Sequence, residues 1–201
     1  MEEEINVKET KEKYLNLFKE NIKREGAKEL LEFIEKSDFF TSPASTKFHS
    51  NFEGGLCLHS INVYERFEKI LKSEYGDELS HKISNESIAV IALLHDLCKI
   101  ENYKVDYRNV KVNGEWTKQA YYAFNDSALP YGHGEKSVYM ISGYMKLTRE
   151  EAMAINWHMG GFDSRVIGGS YDLSRAFRQF PIAVLFYIAD LSASYLDEKI
   201  V

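Results

Sequence analysis

The chain has 201 residues, of which 44% are hydrophobic and 13% aromatic, so we predict one folded domain rather than a disordered or low-complexity chain. Its 25 basic and 31 acidic residues give a net charge of −6 with the histidines neutral, which disfavours duplex DNA as a partner but is compatible with a local basic patch. Cys57 and Cys98 form no C-x-x-C motif, which argues against a disulfide scaffold and a thiolate zinc site and favours the cytoplasm.

Export and membrane insertion are not expected either. The acidic start of the sequence has the wrong charge for a signal peptide. The longest apolar run, residues 180–189, is ten residues long and is too short to span a bilayer.

The first part of the chain, residues 1–53, is predicted to pack on a main domain of residues 54–201. Apolar residues at helical spacing predict two amphipathic helices over residues 8–21 and 27–35. The serine-rich stretch that follows, residues 37–53, is typical of an irregular connection.

The main domain is predicted to begin with two helices of different character. The first runs over residues 56–75 and is amphipathic. The second runs over residues 88–99 after an N-cap at Ser84 or Asn85, and its apolar run lacks a polar face, which predicts burial on all sides.

A β-hairpin interrupts the helical pattern. Residues 103–112 and 116–124 are rich in valine and aromatic residues and flank Asn113-Gly114, a strong signal for a two-residue hairpin turn. Helical patterns resume at residues 135–145, 150–159 and 181–196. The fold class is therefore predicted to be mainly α, with one inserted β-hairpin.

The histidines carry the chemistry. His59, His95, His133 and His158 each lie near the end of a separate predicted helix, and Asp96 follows His95 directly. An ionised carboxylate at the end of a buried apolar helix is costly unless it is paired or bound to metal. Imidazole and carboxylate ligands suit divalent iron, manganese, zinc, cobalt or nickel, and magnesium is not distinguished from these.

Two metal ions are plausible because the candidate ligands outnumber what one four-coordinate ion requires. Two ions about 3.5–4 Å apart would share a bridging carboxylate and lower the pKa of a bridging water, which would make a nucleophile for attack on phosphorus. The predicted reaction class is phosphoester hydrolysis.

In the order of these histidines and aspartates the sequence resembles the HD-domain metal-dependent phosphohydrolases, in particular their two-metal subgroup. The resemblance covers roughly residues 54–195 and rests on the order of the candidate ligands and on two motifs, GGLCLHS at residues 54–60 and LLHDLCK at residues 93–99. It implies an HD-domain helical bundle.

The resemblance also implies a role for each matching residue. It makes His59, His95, Asp96 and Asp190 ligands of a first ion, with Asp96 as the bridge and as a catalytic residue. His133 and His158 would hold a second ion. Lys99 would be catalytic and contact a phosphate oxygen or the nucleophile. From the residues alone, each histidine also fits a structural role, and His133 and His158 decide between one ion and two.

Substrate contacts are predicted from two regions. Arg175 and Arg178, together with Arg165, could clamp a phosphate or could form surface ion pairs. Hairpin aromatics such as Tyr122 could stack on a base or cover the helical core. His49 and His81 lie in polar surroundings and are interpreted as solvated.

The function predicted first is a metal-dependent phosphohydrolase acting on a nucleotide or a related small phosphoester. A 3′–5′ exoribonuclease or phosphodiesterase is the enzymatic alternative, because its motifs are similar, and a non-catalytic nucleotide-sensing module is the third. The exact substrate, the physiological metal and the oligomeric state do not follow from the sequence.

Overall fold

The computed structural model describes residues 6–198 and is mainly helical, with a small two-stranded antiparallel sheet. The first half contains α1 (Val7–Asn21), α2 (Ala27–Lys36), α3 (Gly55–Tyr75), α4 (Leu79–Lys82) and α5 (Asn85–Leu94). Next come β1 (Tyr103–Val112) and β2 (Glu115–Phe124), and then α6 (His133–Ser142), α7 (Arg149–Asn156), α8 (Ser164–Ile167), α9 (Asp172–Gln179) and α10 (Pro181–Ser192).

Helix α5 lies at the centre of the core. Every side chain from Ile88 to Leu94 is buried, as the absence of a polar face predicts. The helix packs against α1, α3 and α7, and α10 packs against α3 and α7. The candidate site lies among the ends of these packed helices.

The N-terminal helices share this core. Tyr14 on α1 is fully buried, and its hydroxyl donates a hydrogen bond to the Leu93 carbonyl at 2.9 Å. Its ring also contacts Phe39 and Phe40, which begin the irregular connection to α3. The connection is thereby fixed to the core shortly before it reaches the site.

Helix α5 ends at Leu94, earlier than the predicted residue 99. The Nδ1 atom of His95 bonds the Ala92 carbonyl at 2.8 Å, which is the carbonyl that the amide of residue 96 would use in a continuing α-helix. The chain turns there and forms a 3-10 turn over Leu97–Lys99. His95 and Asp96 therefore lie between the end of α5 and this turn, where both side chains reach the site.

The hairpin matches its predicted position and turn. Its strands pair from Tyr103 with Phe124 to Val112 with Glu115, and Asn113 and Gly114 have φ angles of 51° and 91°, as a type I′ turn requires. Most of its side chains are exposed, including Trp116 at 71%. For most of the hairpin, the interpretation that its aromatic residues cover the helical core is therefore wrong.

The C-terminal helices differ from prediction in two ways. The sequence predicts neither α8 nor α9, and α10 ends at Ser192 and continues as a π-helical turn over Ala193–Asp197. Within residues 6–198 no single helix has the length and apolar content to cross a membrane. Only α9 and the segment Pro181–Asp197 taken together have that length and apolar content, and they are bent by 111° relative to each other.

Candidate metal centre

The side chains predicted as metal ligands converge on one site, although they come from separate elements. His59 lies on α3, His95 and Asp96 follow α5, His133 begins α6, His158 follows α7, and Asp190 lies on α10. All are buried except His133, whose side chain is 31% exposed, and Asp190, at 13%. The opening of the site is therefore on the His133 side.

Asp96 is at the centre of this cluster, and its two oxygens face different groups. Oδ2 lies 3.5 Å from His59 Nε2 and 3.4 Å from His95 Nε2. Oδ1 lies 3.0 Å from His133 Nε2 and 3.5 Å from His158 Nε2. One carboxylate therefore connects two separate pairs of imidazoles.

Asp190 completes the Oδ2 side of the cluster. Its Oδ1 lies 3.2 Å from His59 Nε2 and 4.0 Å from His95 Nε2, and the two imidazole nitrogens are 3.3 Å apart. Nitrogen and carboxylate oxygen atoms at this spacing form a typical ligand set for a transition-metal ion.

Outer hydrogen bonds orient the buried imidazoles. The Nδ1 atoms of His95 and His158 lie 2.8 Å and 2.6 Å from the carbonyls of Ala92 and Ile155, and because a carbonyl only accepts, both nitrogens carry the proton. In a neutral ring, Nε2 then presents its lone pair to the cluster. This arrangement of a fixed outer nitrogen and an inner lone pair is typical of metal-ligating histidine.

The residues present fit a divalent cation. The buried Nε2 atom of His158 has no hydrogen-bond partner within residues 6–198, and it lies 3.5 Å from Oδ1 of the Asp96 carboxylate. A lone pair facing a carboxylate is unfavourable unless a cation lies between them. A metal ion satisfies both groups at once.

The pKa shifts show the same demand for positive charge. Although burial raises it, the pKa of Asp96 is held well below its usual range by Lys99 and His95, and the pKa of Asp190 is also lowered, mainly by His59. Burial lowers the pKa of His59, but the carboxylates of Glu198 and Asp190 overcome this and raise it to about 10. The carboxylates of Asp96 and Asp190 therefore remain ionised in the buried cluster.

Lys99 is part of the same cluster. Its Nζ lies 2.6 Å from Asp96 Oδ2, and the side chain is only 9% exposed. Burial lowers its pKa, but the carboxylate of Asp96 reverses the effect and keeps the ammonium charged. The 3-10 turn between the two residues places the lysine beside the carboxylate.

Glycine allows His133 to approach His158. A side chain at Gly134 would place its Cβ 2.3 Å from the Asn156 carbonyl oxygen, so the start of α6 and the end of α7 pack closely only with glycine at this position. The ring centroids of His133 and His158 are 5.1 Å apart as a result. The glycine after His133 therefore brings the two imidazoles of the Oδ1 side together.

Two residues of the site were missed by the sequence reasoning. Glu198 is buried, and its Oε1 lies 2.8 Å from His59 Nδ1, where it orients that ring. The prediction that His49 is solvated is wrong, because the centre of its ring lies 4.8 Å from that of His59. Burial, and to a lesser extent the charge of His59, lowers the pKa of His49 to about 4. Only the proximity of His49 to the GGLCLHS motif in sequence hinted at this position.

Cys98 lies beside the second pair of imidazoles. Its sulfur is 3.5 Å from His133 Nδ1, and its amide donates a hydrogen bond to Ser137 Oγ at 3.0 Å. Burial and the charge of Asp96 raise the pKa of its thiol to about 12, so the thiol stays protonated. Cys98 is therefore a small buried residue with a neutral thiol.

The predicted substrate contacts are more dispersed. Arg165 is fully engaged by Asp163 and Glu135 and stacks on Trp157, so the structure does not support its role in a phosphate clamp. Arg175 pairs with Asp172, and Arg178 donates to a carbonyl of its own helix, α9, so both remain predictions. Tyr122 is half-buried on β2 and lines a pocket.

Comparison with known proteins gives one partial relative. The dihydroneopterin 2′,3′-cyclic phosphate phosphodiesterase of Methanocaldococcus jannaschii is 37% identical over 65 residues. The match covers 31% of this chain and 24% of that protein, so the chain is matched to about a quarter of its relative's length. No family model and no solved structure matches the chain. The name of the relative supports a hydrolase, and among hydrolases a phosphodiesterase.

Proposed function

We propose that the protein is a metal-dependent phosphohydrolase of the HD type that cleaves a phosphodiester of a small molecule. The observation that carries this proposal is the carboxylate of Asp96, whose two oxygens face two pairs of imidazoles. The partial relative acts on a cyclic phosphate by its name, which favours a diester among the phosphoesters. The substrate class is a nucleotide or a similar heterocyclic phosphate.

The metal ligands follow from the two sides of Asp96. His59, His95 and Asp190 would hold one divalent ion on the Oδ2 side, and His133 and His158 would hold a second on the Oδ1 side. Such ions, when bound, activate water and neutralise charge on the phosphoryl oxygens. Nitrogen and oxygen ligands accommodate iron, manganese, zinc, cobalt, nickel or magnesium, so the proposal does not choose among them.

Lys99 would supply the protein's own charge to the reaction. Its ammonium is already held beside the cluster by Asp96, so it needs little reorganisation to bind a phosphoryl oxygen. A fixed cation stabilises the negative charge that develops when the water oxygen forms a bond to phosphorus and the ester bond to the leaving group breaks. The leaving oxygen must gain a proton in this step.

Metal content and hydrolysis test the proposal together. We expect the purified protein to contain divalent metal by mass spectrometry and to hydrolyse bis(p-nitrophenyl) phosphate and members of a panel of 2′,3′-cyclic nucleotides and linear diesters. Chelation should abolish hydrolysis, and added metal should restore it. The His95→Ala/Asp96→Ala double variant should lose both metal and activity.

His81→Ala is the matched control, because it removes an exposed imidazole outside the cluster. It should keep both metal and activity. Circular dichroism establishes whether the double variant is folded, and Asp96→Asn, which preserves the shape of the side chain, gives a second inactive protein if it is not. Wild-type activity in a folded His95→Ala/Asp96→Ala protein would overturn the proposal, as would a wild-type protein that binds no metal.

A further inference from the structure

A second feature lies between the hairpin and the 41–53 loop, which we define as residues 41–53 before α3. A pocket of about 560 Å³ opens there, within the size range of small-molecule sites. Its polar and aromatic lining includes Lys47, Asn51, Arg108, Gln119, Tyr121 and Tyr122.

The charge of this pocket is opposite to that of the protein. Among residues 6–198 its lining contains two basic side chains and no acidic one, although the chain has a net charge of −6. Neither Lys47 nor Arg108 forms an ion pair within residues 6–198. Two carboxylates interact with the lining tyrosines instead: Asp106 Oδ2 accepts from Tyr121 Oη at 3.3 Å, and Glu53 interacts electrostatically with Tyr122. Among the described residues, the lining thus contributes two cations that no carboxylate pairs with directly.

Both walls of the pocket are ordered by hydrogen bonds. On the hairpin, Gln119 Oε1 accepts from the Arg108 guanidinium at 3.2 Å, and that guanidinium lies 5.5 Å from the centre of the Tyr121 ring. On the loop, Ser45 Oγ accepts from the Phe48 amide at 2.8 Å and donates to the His49 carbonyl at 2.9 Å. The segments that carry Arg108 and Lys47 are therefore already ordered, so ligand binding costs little conformational entropy there.

The same loop connects the pocket to the metal centre. His49 lies beside His59 in the cluster, while Lys47, two residues earlier, lines the pocket. Two residues of extended chain span at most about 7 Å, so a small molecule can occupy both places. Tyr103 is the first residue of β1 and interacts electrostatically with Lys99. The hairpin wall of the pocket therefore also begins near the cluster.

We infer that this pocket binds a second phosphate of the substrate, remote from the phosphate that is cleaved, with Arg108 and Lys47 as its partners. The inference rests on the proposed function for the position of the cleaved phosphate. A guanidinium and an ammonium suit the oxygens of a phosphate, and the tyrosine faces beside them suit a base or sugar on the connecting part of the molecule. The substrate class narrows to nucleotides that carry a further phosphate.

Two kinds of molecule share this chemistry, a nucleoside bisphosphate and a dinucleotide with a terminal phosphate. Calorimetry at about 0.15 M salt, where long-range attraction is screened, compares adenosine 5′-monophosphate with adenosine 3′,5′-bisphosphate, and the dinucleotide ApA with pApA. In either pair, the additional phosphate should tighten binding about tenfold. A preference within only one pair identifies which of the two kinds is bound.

The Lys47→Gln/Arg108→Gln variant should reduce this preference to less than about threefold. Lys111→Gln/Lys118→Gln is its matched control, since it removes the same number of charges from hairpin positions outside the pocket and should keep the wild-type preference. An equal preference in the pocket variant, an equal loss in the control, or no preference in the wild type would overturn the inference.

Hydrolysis of bis(p-nitrophenyl) phosphate, which has only one phosphate, should be the same in the pocket variant and the wild type. The two proposals fail in different ways. If the proposed hydrolysis is wrong, neither the wild type nor the pocket variant cleaves this compound. The preference measured by calorimetry does not depend on cleavage and still tests the pocket.

Discussion

The carboxylate of Asp96 determines how many cations the site can hold. Because its two oxygens face separate imidazole pairs, ligand removal on one side should leave the other side occupied. His133 is the most exposed of the four proposed histidine ligands, so its removal should disturb packing least. We predict that His133→Ala lowers the metal content from about two ions to about one per chain.

Mass spectrometry of the folded protein measures this change directly. His158→Ala, on the same side of Asp96, should give the same result, and His81→Ala should retain the wild-type content. A His133→Ala protein that binds as much metal as the wild type would contradict the two-ion arrangement.

Glu198 should influence metal affinity although it is not one of the proposed ligands. It holds His59 by Nδ1, and loss of such an outer partner typically weakens metal binding about 10–100-fold. We predict this loss for Glu198→Gln, measured by competition with a chelator. Ser50→Ala is the control, since it removes the hydroxyl that donates to Glu198 Oε2 at 2.6 Å but keeps the carboxylate. Equal affinities of Glu198→Gln and the wild type would exclude this role.

The residues of the site differ in how far sequence could predict them. His59, His95 and His158 lie in or beside strongly patterned helices, so their surroundings could be inferred. His49 could not, because its position depends on the hydrogen bonds of Ser45 within an irregular loop. Glu198 comes next to the cluster only through the π-helical turn after α10, and no local pattern predicts such a turn.

At the scale of elements, the hairpin is an addition to the core rather than a part of it. Its strands are exposed over most of their length, so they contribute little burial to folding. Lys104 and Ala123 are partners in the register. An Asn-Gly turn that joins them directly, with residues 105–122 removed, therefore makes a short hairpin of the same geometry.

We predict that this shortened protein keeps the metal content and melting temperature of the wild type but loses the preference for a second phosphate. Metal analysis, thermal unfolding followed by circular dichroism, and calorimetry with the two dinucleotides check these three outcomes. Loss of metal on shortening would show that the hairpin instead supports the centre.

Among the helices, burial decided which could be predicted. Helix α5 buries a continuous apolar run and was evident from sequence, although its end was not, because a single side-chain bond from His95 stops it. Helix α9 buries only Ala176 fully and has no side-chain cap. A short helix with so little apolar surface is specified by its neighbours rather than by its own pattern.

At the scale of the whole molecule, one buried carboxylate connects the N-terminal segment to the central helices. Glu151 at the start of α7 is fully buried and accepts two hydrogen bonds from Arg24, each 2.7 Å long. It also accepts from Ser87 Oγ on α5 and from the Thr148 amide in its own capping box. These bonds join segments that are distant in the chain.

This connection should make stability depend on pH in a defined direction. Burial raises the pKa of Glu151, but the bonds from Arg24, Thr148 and Ser87 outweigh it and lower the pKa from its usual 4.5. Because the unfolded chain then binds the proton more readily, the stabilisation is complete above that value and is lost as the pH falls through the lowered pKa.

We predict that Glu151→Gln lowers the free energy of unfolding by about 2 kcal/mol at neutral pH, since Arg24 and the capping amide lose a charged acceptor. The difference from the wild type should shrink below pH 4.5, where Glu151 in the unfolded chain is protonated. Urea unfolding of metal-free protein from pH 7 to pH 4 measures it, and the metal cluster, being common to both proteins, largely cancels from the difference.

Glu150→Gln is the matched control because the neighbouring carboxylate has the opposite shift. Burial and the charge of Glu151 raise the pKa of Glu150, so its ionised form is disfavoured in the folded protein. Its replacement should leave stability at pH 7 unchanged or slightly higher, because a repulsion is removed. If Glu151→Gln showed the same pH-independent stability difference down to pH 4, the carboxylate would stabilise the fold by its shape rather than by its charge.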